Sequence, residues 1–221
     1  MIKLNDVDKF IESRYARTFI LKSINLEINA GEFVSIMGPS GSGKSTLMNI
    51  IGMLDKASQG EYYFLDEPVH KFNERKTSQI HKEHIGFIFQ AYHLIDELTV
   101  YENIETPLLY RGVKRKERES MVAEILDRFS IVAKKDLFPE QLSGGQQQLV
   151  GVARAIIGKP KLLLADEPTG NLHSSQGEEV MSLLKQLNKD GMAIIQVTHN
   201  EKFAEYGSRI IQLEDGAIMS Q

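Results

Sequence analysis

The feature that most constrains the fold is the nine-residue segment GPSGSGKST at 38–46. The apolar run FVSIM at 33–37 precedes it and is typical of a buried strand. The segment that follows has apolar residues at the i, i+3, i+4, i+7 spacing of a one-faced helix: Leu47, Ile50, Ile51 and Leu54. The sequence therefore predicts a strand, a glycine-rich loop and a helix in direct succession. This is the context that the pattern G-x-x-x-x-G-K-[ST] needs to bind phosphate groups.

The chemistry of this loop explains its residue types. Small residues let backbone N–H groups surround phosphate groups, and the following helix directs its positive end at them. Lys44 would hold the β- and γ-phosphates, and Ser45 would give its hydroxyl to Mg²⁺, with Asp166 supporting the ion from the end of the run LLLAD. Glu167 would then face an attacking water. In isolation, an acidic pair at a strand end is more often a helix cap or an ion-pair partner.

Composition sets the limits on class and location. A chain of 221 residues can bury one substantial core, and its net charge of -4 offers no electrostatic argument for nucleic-acid binding. The absence of cysteine excludes disulfides and thiol chemistry and fits a cytosolic protein. No stretch approaches the roughly 18 to 20 apolar residues that span a bilayer. We therefore expect a partner to supply any membrane span.

Periodicity elsewhere predicts an α/β protein with a helical insertion at about 90–160. Further strands are predicted from alternating or continuous apolar runs: 21–28, 61–65, 85–89, 162–166 and 193–197. Helices are predicted from apolar residues at helical spacing or from terminating signals: 121–129, 144–158 with Gly158 and Pro160 ending it, and 180–187. Residues 68–84 are predicted to be a polar connector.

Five motifs in a fixed order resemble those of the nucleotide-binding subunits of ATP-binding cassette (ABC) transporters, over essentially the full length. They are the loop at 38–46, Gln90, LSGGQ at 142–146, LLLADE at 162–167 and His199. The resemblance implies a P-loop NTPase with a RecA-like core, an antiparallel β subdomain and a helical subdomain, all in a single ABC ATPase domain. Residues 1–89 and 160–221 would form the core with the β subdomain. The segment from about 90 to 159 would form the helical subdomain.

The same resemblance implies the roles of the site residues, with ATP and Mg²⁺ as cofactors. Glu167, His199 and Gln90 would be catalytic. ATP would be bound by Phe10, Gly38, Pro39, Ser40, Gly41, Ser42, Gly43, Lys44, Ser45 and Thr46. Mg²⁺ would be bound by Ser45, Gln90 and Asp166. The signature residues Ser143, Gly144, Gly145 and Gln146 would cap the γ-phosphate held by the opposite subunit of a homodimer. The remaining histidines (70, 81, 84, 93 and 173) suggest no metal site.

Within that family, three stretches of the sequence closely resemble those of the MacB/LolD-type ATPases, which serve lipoprotein release and macrolide export. The similar stretches are GEFVSIMGPSGSGKSTLMNIIGMLD, IGFIFQAYHLIDELTVYENIETPL and QLSGGQQQ. This implies ATP-driven dimerisation on the cytoplasmic face of the membrane, moving a permease with a large extracytoplasmic domain. An FtsE-like regulator of envelope or division machinery is the alternative. An ABC ATPase linked to nucleic acid is the weakest one, because paired cassettes, a coiled-coil insertion and zinc cysteines are all missing.

Three positions depart from the family pattern. Ile11 stands where an aromatic residue usually stacks on adenine, with Phe10 beside it and Tyr15 close by. The segment usually ending in Leu-Asp after the catalytic glutamate ends in Leu172-His173, so a carboxylate is missing between the two ATP sites. Leu149 replaces the arginine that usually follows QQQ.

Overall fold

The computed structural model describes residues 1–13 and 16–220, which form ten strands in two sheets and seven α-helices. The strands are β1 (Ile2–Glu12), β2 (Arg17–Ile28), β3 (Phe33–Met37), β4 (Gln59–Phe64), β5 (Glu67–Pro68), β6 (Ile85–Ile88), β7 (Leu162–Asp166), β8 (Ala193–Val197), β9 (Arg209–Glu214) and β10 (Ala217–Ser220). The helices are α1 (Lys44–Ile51), α2 (Glu74–His84), α3 (Val100–Tyr110), α4 (Arg115–Arg128), α5 (Gly144–Ile156), α6 (Ser174–Lys189) and α7 (Glu201–Ala204). Single 3-10 turns occupy Val69–Lys71, Val132–Lys134 and Pro139–Gln141.

Six of these strands form the central sheet, in the order β10-β9-β3-β8-β7-β6. All neighbours are parallel except β9 and β10. Every residue of β3 and β8 is buried, because both faces of the parallel sheet are covered and neither is left polar. Val197 of β8 is level with Ile36 of β3 on one side and with Asp166 of β7 on the other. The chain therefore leaves β3, β7 and β8 at one common edge of the sheet.

The other four strands form an antiparallel sheet in the order β2-β1-β4-β5. One apolar core lies between this sheet, α1 and one face of the central sheet, and it includes Ile2, Leu4, Ile24, Leu47, Ile51 and Leu164. A second core packs the opposite face of the central sheet against α3 to α6, and it includes Phe33, Ile104, Val150, Leu163, Leu184 and Ile194. The glycine-rich loop thus begins at the end of a strand that is held between two cores.

Helices α3, α4 and α5 lie between residues 90 and 159, and side-chain caps start α3 and α5. Thr99 and Glu102 form a capping box at α3, with the Thr99 N–H donating to Glu102 Oε2 at 2.8 Å. Such reciprocal caps satisfy amide groups that the first helical turn leaves without partners. Across the described ranges, 1–13 and 16–220, every helix is too short or too polar to traverse a bilayer.

Two sequence-based predictions about elements were wrong. The polar connector predicted at 68–84 contains α2, which buries only Ile80 and so lacks an apolar stripe; its signal is the Asn73 cap, whose Oδ1 accepts from the Lys76 N–H at 2.9 Å. Helix α1 ends at Ile51 rather than extending to Leu54, whose side chain is 51% exposed. The strands predicted at 33–37, 162–166 and 193–197 are confirmed.

The N-terminus of α6 lacks a side-chain cap and generates a stability prediction. His173 occupies the N-cap position and makes no capping hydrogen bond. An aspartate there would accept an amide hydrogen and interact favourably with the helix dipole. We expect His173→Asp to stabilise the chain by about 1 kcal/mol, which corresponds to a rise in Tm of about 2–4 °C by calorimetry. His173→Ala, which also lacks a cap, should leave Tm near the parent value; an equal rise in both variants would contradict the capping argument.

Candidate functional site

The glycine-rich loop has a backbone that only glycine allows at two positions. Gly38 has φ of 154° and Gly43 has φ of 101°. A Cβ atom added at Gly38 would lie 2.0 Å from the Leu213 carbonyl oxygen, and one at Gly43 would lie 2.9 Å from the Ile20 carbonyl oxygen. The loop is therefore pressed against β9 and β2, which holds its amide groups in a fixed arrangement.

The polar groups of this loop fit a phosphate chain. Helix α1 begins at Lys44 with no side chain capping its amide groups, so its N-terminus is free to bind an anion. The Lys44 ammonium donates to the carbonyl oxygens of Gly38 at 2.9 Å and Pro39 at 2.8 Å, which holds it across the loop. The buried Ser42 hydroxyl has no hydrogen-bond partner among the described residues. A bound phosphate oxygen would satisfy these donors.

Two adjacent carboxylates lie at the end of β7. Burial raises the pKa of Asp166, the neighbouring Glu167 charge raises it further, and Lys44 opposes both effects. Glu167 has a left-handed backbone with φ of 47°, and its N–H donates to the Val197 carbonyl oxygen at 2.9 Å. Left-handed geometry at a non-glycine residue is unfavourable and persists only where surrounding contacts impose it. The turn thereby directs two successive carboxylates differently.

Glu167 and His199 form a hydrogen-bonded pair across the ends of β7 and β8. The distance from His199 Nδ1 to Glu167 Oε1 is 2.9 Å. An ionised carboxylate only accepts, so Nδ1 carries the donated proton and Nε2 is left to interact with a ligand. The Glu167 side chain is 16% exposed and that of His199 is 73% exposed. This pair has the composition of a general base with an orienting partner.

Gln90 follows β6 and lies beside the segment after Glu167. Its Nε2 approaches Asn171 Oδ1 at 3.4 Å, and Asn171 Nδ2 donates to the Gln90 carbonyl oxygen at 2.9 Å. The structure therefore brings Gln90 together with the segment that carries Glu167. An amide side chain at this place can offer an oxygen to a metal ion or a water molecule.

The oxygen donors predicted for Mg²⁺ are suited to that ion. A serine hydroxyl, an amide oxygen and a carboxylate are hard ligands, and Mg²⁺ usually takes few protein ligands while keeping waters and phosphate oxygens. Asp166 lies within electrostatic range of Lys44, next to Ser45 in sequence. No group of three or more His, Cys, Asp or Glu side chains within residues 1–13 and 16–220 is placed to hold a metal without a ligand's help.

The signature residues form the start of α5. Ser143 is the N-cap: its hydroxyl accepts from the Gln146 N–H at 3.4 Å, and its own N–H donates to Gln146 Oε1 at 3.1 Å. A side chain at Gly144 would meet the Tyr92 hydroxyl, and one at Gly145 would meet Gln176. Ser143 is exposed, so this helix N-terminus is available to a ligand held by another molecule.

The residues predicted near adenine lie on β1. The Phe10 ring packs against Phe19, with centroids 5.4 Å apart, and the Arg17 guanidinium lies 4.9 Å from its centroid. Ile11 is 61% exposed. Tyr15, also considered for this contact, lies outside the described residues.

Three residues that support the site were not predicted from the sequence. Asn171 pairs with Gln90, buried Gln148 donates from Nε2 to the Pro168 carbonyl oxygen at 2.7 Å, and Arg154 donates to carbonyl oxygens just after Gln90. Each contact joins segments far apart in sequence, so no local pattern signals it.

Comparison with known proteins identifies the family. A family model described as "ABC transporter" matches residues 21–170. The macrolide export ATP-binding/permease protein MacB is 45% identical over 219 residues in Shigella dysenteriae serotype 1 and 44% identical in Escherichia coli K12. These matches cover 99% of this chain but only 34% of each relative, so the chain spans about a third of their length.

Solved structures resemble the whole chain. The ATP-binding cassette MJ0796, in a dimeric post-hydrolysis state bound to ADP and Pi, superposes with a TM-score of 0.91 at 43% identity, covering 100% of this chain and 97% of that one. CbiO1 from Clostridium perfringens gives 0.89 at 28% identity, with 100% and 87% covered. The predicted family and fold class are confirmed. The chain therefore belongs to the ABC transporter family, as an ATP-binding cassette.

Proposed function

We propose that this chain is the ATP-hydrolysing motor of a MacB/LolD-type ABC exporter. The observation that carries the proposal is the hydrogen bond between Glu167 and His199, formed at the sheet edge where the glycine-rich loop also begins. A phosphate-binding loop and an oriented base at one edge are the parts needed for water attack on a terminal phosphate.

In this mechanism the loop at 38–46 and Lys44 hold the phosphates, and Glu167 accepts the proton of the attacking water. His199 orients Glu167 through Nδ1 and presents Nε2 to the γ-phosphate. Gln90 positions the water through its side-chain amide. The packing of β7 against β8 fixes the Glu167–His199 geometry before ATP arrives, which lowers the reorganisation needed at the reaction step.

Mg²⁺ would be held by Ser45, Asp166 and Gln90, and when bound it supplies compensation for phosphate charge. Asp166 ionises unfavourably in the nucleotide-free chain because burial and Glu167 both raise its pKa. A divalent cation would reverse that penalty. Phe10, near the end of β1, would contact the base of the nucleotide.

The exposed N-terminus of α5 is the reason to propose a homodimer. Exposed Ser143 and the first turn of α5, formed by Gly144, Gly145 and Gln146, would meet the γ-phosphate of a second copy. Two chains would then enclose two ATP molecules head to tail. Residues at about 90–159 would move as the helical subdomain during this closure.

A groove near Gln90 is suited to a membrane partner. It has a volume of about 440 Å³ and is lined by apolar side chains, among them Leu54, Phe87, Phe89, Pro107 and Tyr110, and by the basic side chains of Lys82, Arg111 and Arg154. Tyr110 is 71% exposed. Groups of exposed apolar side chains commonly mark contact sites. We propose that a permease with a large extracytoplasmic domain inserts a cytoplasmic segment here, which places the chain on the cytoplasmic face of the membrane.

Replacing the base tests the motor directly. Glu167→Gln keeps the side-chain shape but cannot take a proton, so we expect Mg-ATP turnover to fall by at least about 100-fold. ATP affinity should be retained, and an ATP-dependent dimer should accumulate on size-exclusion chromatography. Steady-state phosphate release and nucleotide titration measure the two effects.

The matched control adds Ser143→Arg to the Glu167→Gln chain. Bulk and charge at the start of α5 should prevent the dimer while ATP still binds each monomer. Unchanged turnover in Glu167→Gln would refute the assignment of the base, and a dimer that survives Ser143→Arg would refute the two-copy arrangement.

The electrostatics of Asp166 predict a pH-dependent effect on stability. Since its pKa is raised in the folded chain, the penalty is absent below the unfolded pKa of about 4 and develops as pH rises through the folded value. Asp166→Asn should therefore raise Tm at pH 7.5 without nucleotide, with the gain shrinking towards pH 4. It should also abolish the Mg²⁺-dependent part of the Tm rise with ATP. Exposed Asp136→Asn serves as the control, and a lower Tm in Asp166→Asn would contradict the argument.

The groove predicts a separable defect in partner binding. Tyr110→Glu places a charge on the apolar surface and should weaken permease capture from detergent-solubilised membranes by at least about tenfold. ATP turnover of the isolated chain should be unchanged. Met219→Glu alters an exposed apolar residue elsewhere and should capture normally. Mass-spectrometric identification of ribosomal or division proteins in place of a permease would overturn the exporter assignment.

A further inference from the structure

The turn after Gln90 has an unfavourable backbone. Tyr92 and His93 are successive non-glycine residues with φ of 58° and 47°. Left-handed geometry at two adjacent side-chain-bearing residues requires external contacts to persist. The conformation of this turn determines where Gln90, two residues earlier, directs its side chain.

Arg154 supplies such contacts from α5. Its Nη1 donates to the His93 carbonyl oxygen at 2.6 Å, and its Nη2 donates to the Tyr92 carbonyl oxygen at 3.0 Å. The planar guanidinium therefore binds two successive carbonyl groups at once, a geometry that an ammonium group cannot reproduce. Each carbonyl belongs to one of the two left-handed residues.

The charge of Arg154 is not matched by a carboxylate. None of the ion pairs within residues 1–13 and 16–220 includes this side chain. Its half-burial lowers its pKa because a cation loses hydration there. The two carbonyl dipoles are thus the partners that compensate the buried charge, and the turn and the cation stabilise each other.

Tyr92 also links the turn after Gln90 to the start of α5. A Cβ atom added at Gly144 would lie 2.7 Å from the Tyr92 hydroxyl oxygen. The same hydroxyl donates to the Asn171 carbonyl oxygen at 3.4 Å. Asn171 in turn bonds Gln90. The helix that begins with the signature therefore contacts the Gln90 turn near both of its ends.

We propose that Arg154 is a positioning residue that holds Gln90 in its working orientation and couples it to the signature helix. A displacement of α5 on binding a second copy would move the Arg154 guanidinium and, with it, the turn that carries Gln90. This inference rests on the proposed function, because it assigns Gln90 a part in ATP hydrolysis.

A double-mutant cycle on the 221-residue chain tests it. Arg154→Met keeps the aliphatic stem but removes both hydrogen bonds, and we expect kcat for Mg-ATP to fall by at least about tenfold. Affinity for a fluorescent ATP analogue should stay near the parent value, because the glycine-rich loop is untouched. Arg154→Lys restores a cation with one carbonyl contact and should give an intermediate kcat.

The decisive comparison is made in the Gln90→Ala background. If Arg154 acts through Gln90, adding Arg154→Met to Gln90→Ala should lower kcat no further than Gln90→Ala alone. Independent, multiplicative losses would overturn the inference while leaving the proposed function intact. A Gln90→Ala chain with parent turnover would overturn both the role of Gln90 and this inference, whereas Glu167→Gln tests the proposed function separately.

Arg111 provides the matched control. It also donates to main-chain carbonyl oxygens, those of Lys82, Glu83 and Gly158, and none of its hydrogen bonds within residues 1–13 and 16–220 goes to the Gln90 turn. Any loss caused by Arg111→Met should be the same with and without Gln90→Ala. Equal non-additivity for Arg111 and Arg154 would indicate general destabilisation and would refute a specific role for Arg154.

Discussion

The parallel pairing of β3, β8 and β7 is the constraint on which the rest of the structure depends. Val197 is level with both Ile36 and Asp166, so three chain segments leave the sheet at one edge. The glycine-rich loop, the Asp166–Glu167 pair and His199 are thereby brought together by backbone hydrogen bonds rather than by flexible side chains. Two apolar cores, one on each face, hold these strands in place.

Helix α5 makes a second set of connections at this edge. Its N-cap Ser143 is exposed, whereas Gln148 reaches the segment after Glu167 and Arg154 reaches the turn after Gln90. The contacts are side chain to main chain, so they constrain backbone position and tolerate changes in neighbouring side chains. If the N-terminus of α5 meets a second copy, as proposed, this helix can transmit closure of the dimer to these turns as a rigid displacement.

Local sequence was sufficient where the structure follows local rules. Apolar runs predicted the buried strands at 33–37, 162–166 and 193–197, because a strand covered on both faces needs no polar positions. Apolar residues at helical spacing did not predict α2, because this helix lies on the surface and buries only Ile80. Helical spacing also predicted that α1 extends to Leu54, although the chain turns at Gly52, where a side chain would meet the Phe87 ring.

The sequence by itself determined the phosphate-binding loop, the order of the motifs and the α/β class, because each depends on residues close together in the chain. It could not determine that Glu167 and His199 bond each other, that Asn171 meets Gln90, or that Arg154 meets Tyr92 and His93. Those contacts join segments 32 to 81 residues apart. Only the packing of strands and helices decides such distances, because hydrogen bonds act over a few ångströms and carry no trace in local spacing.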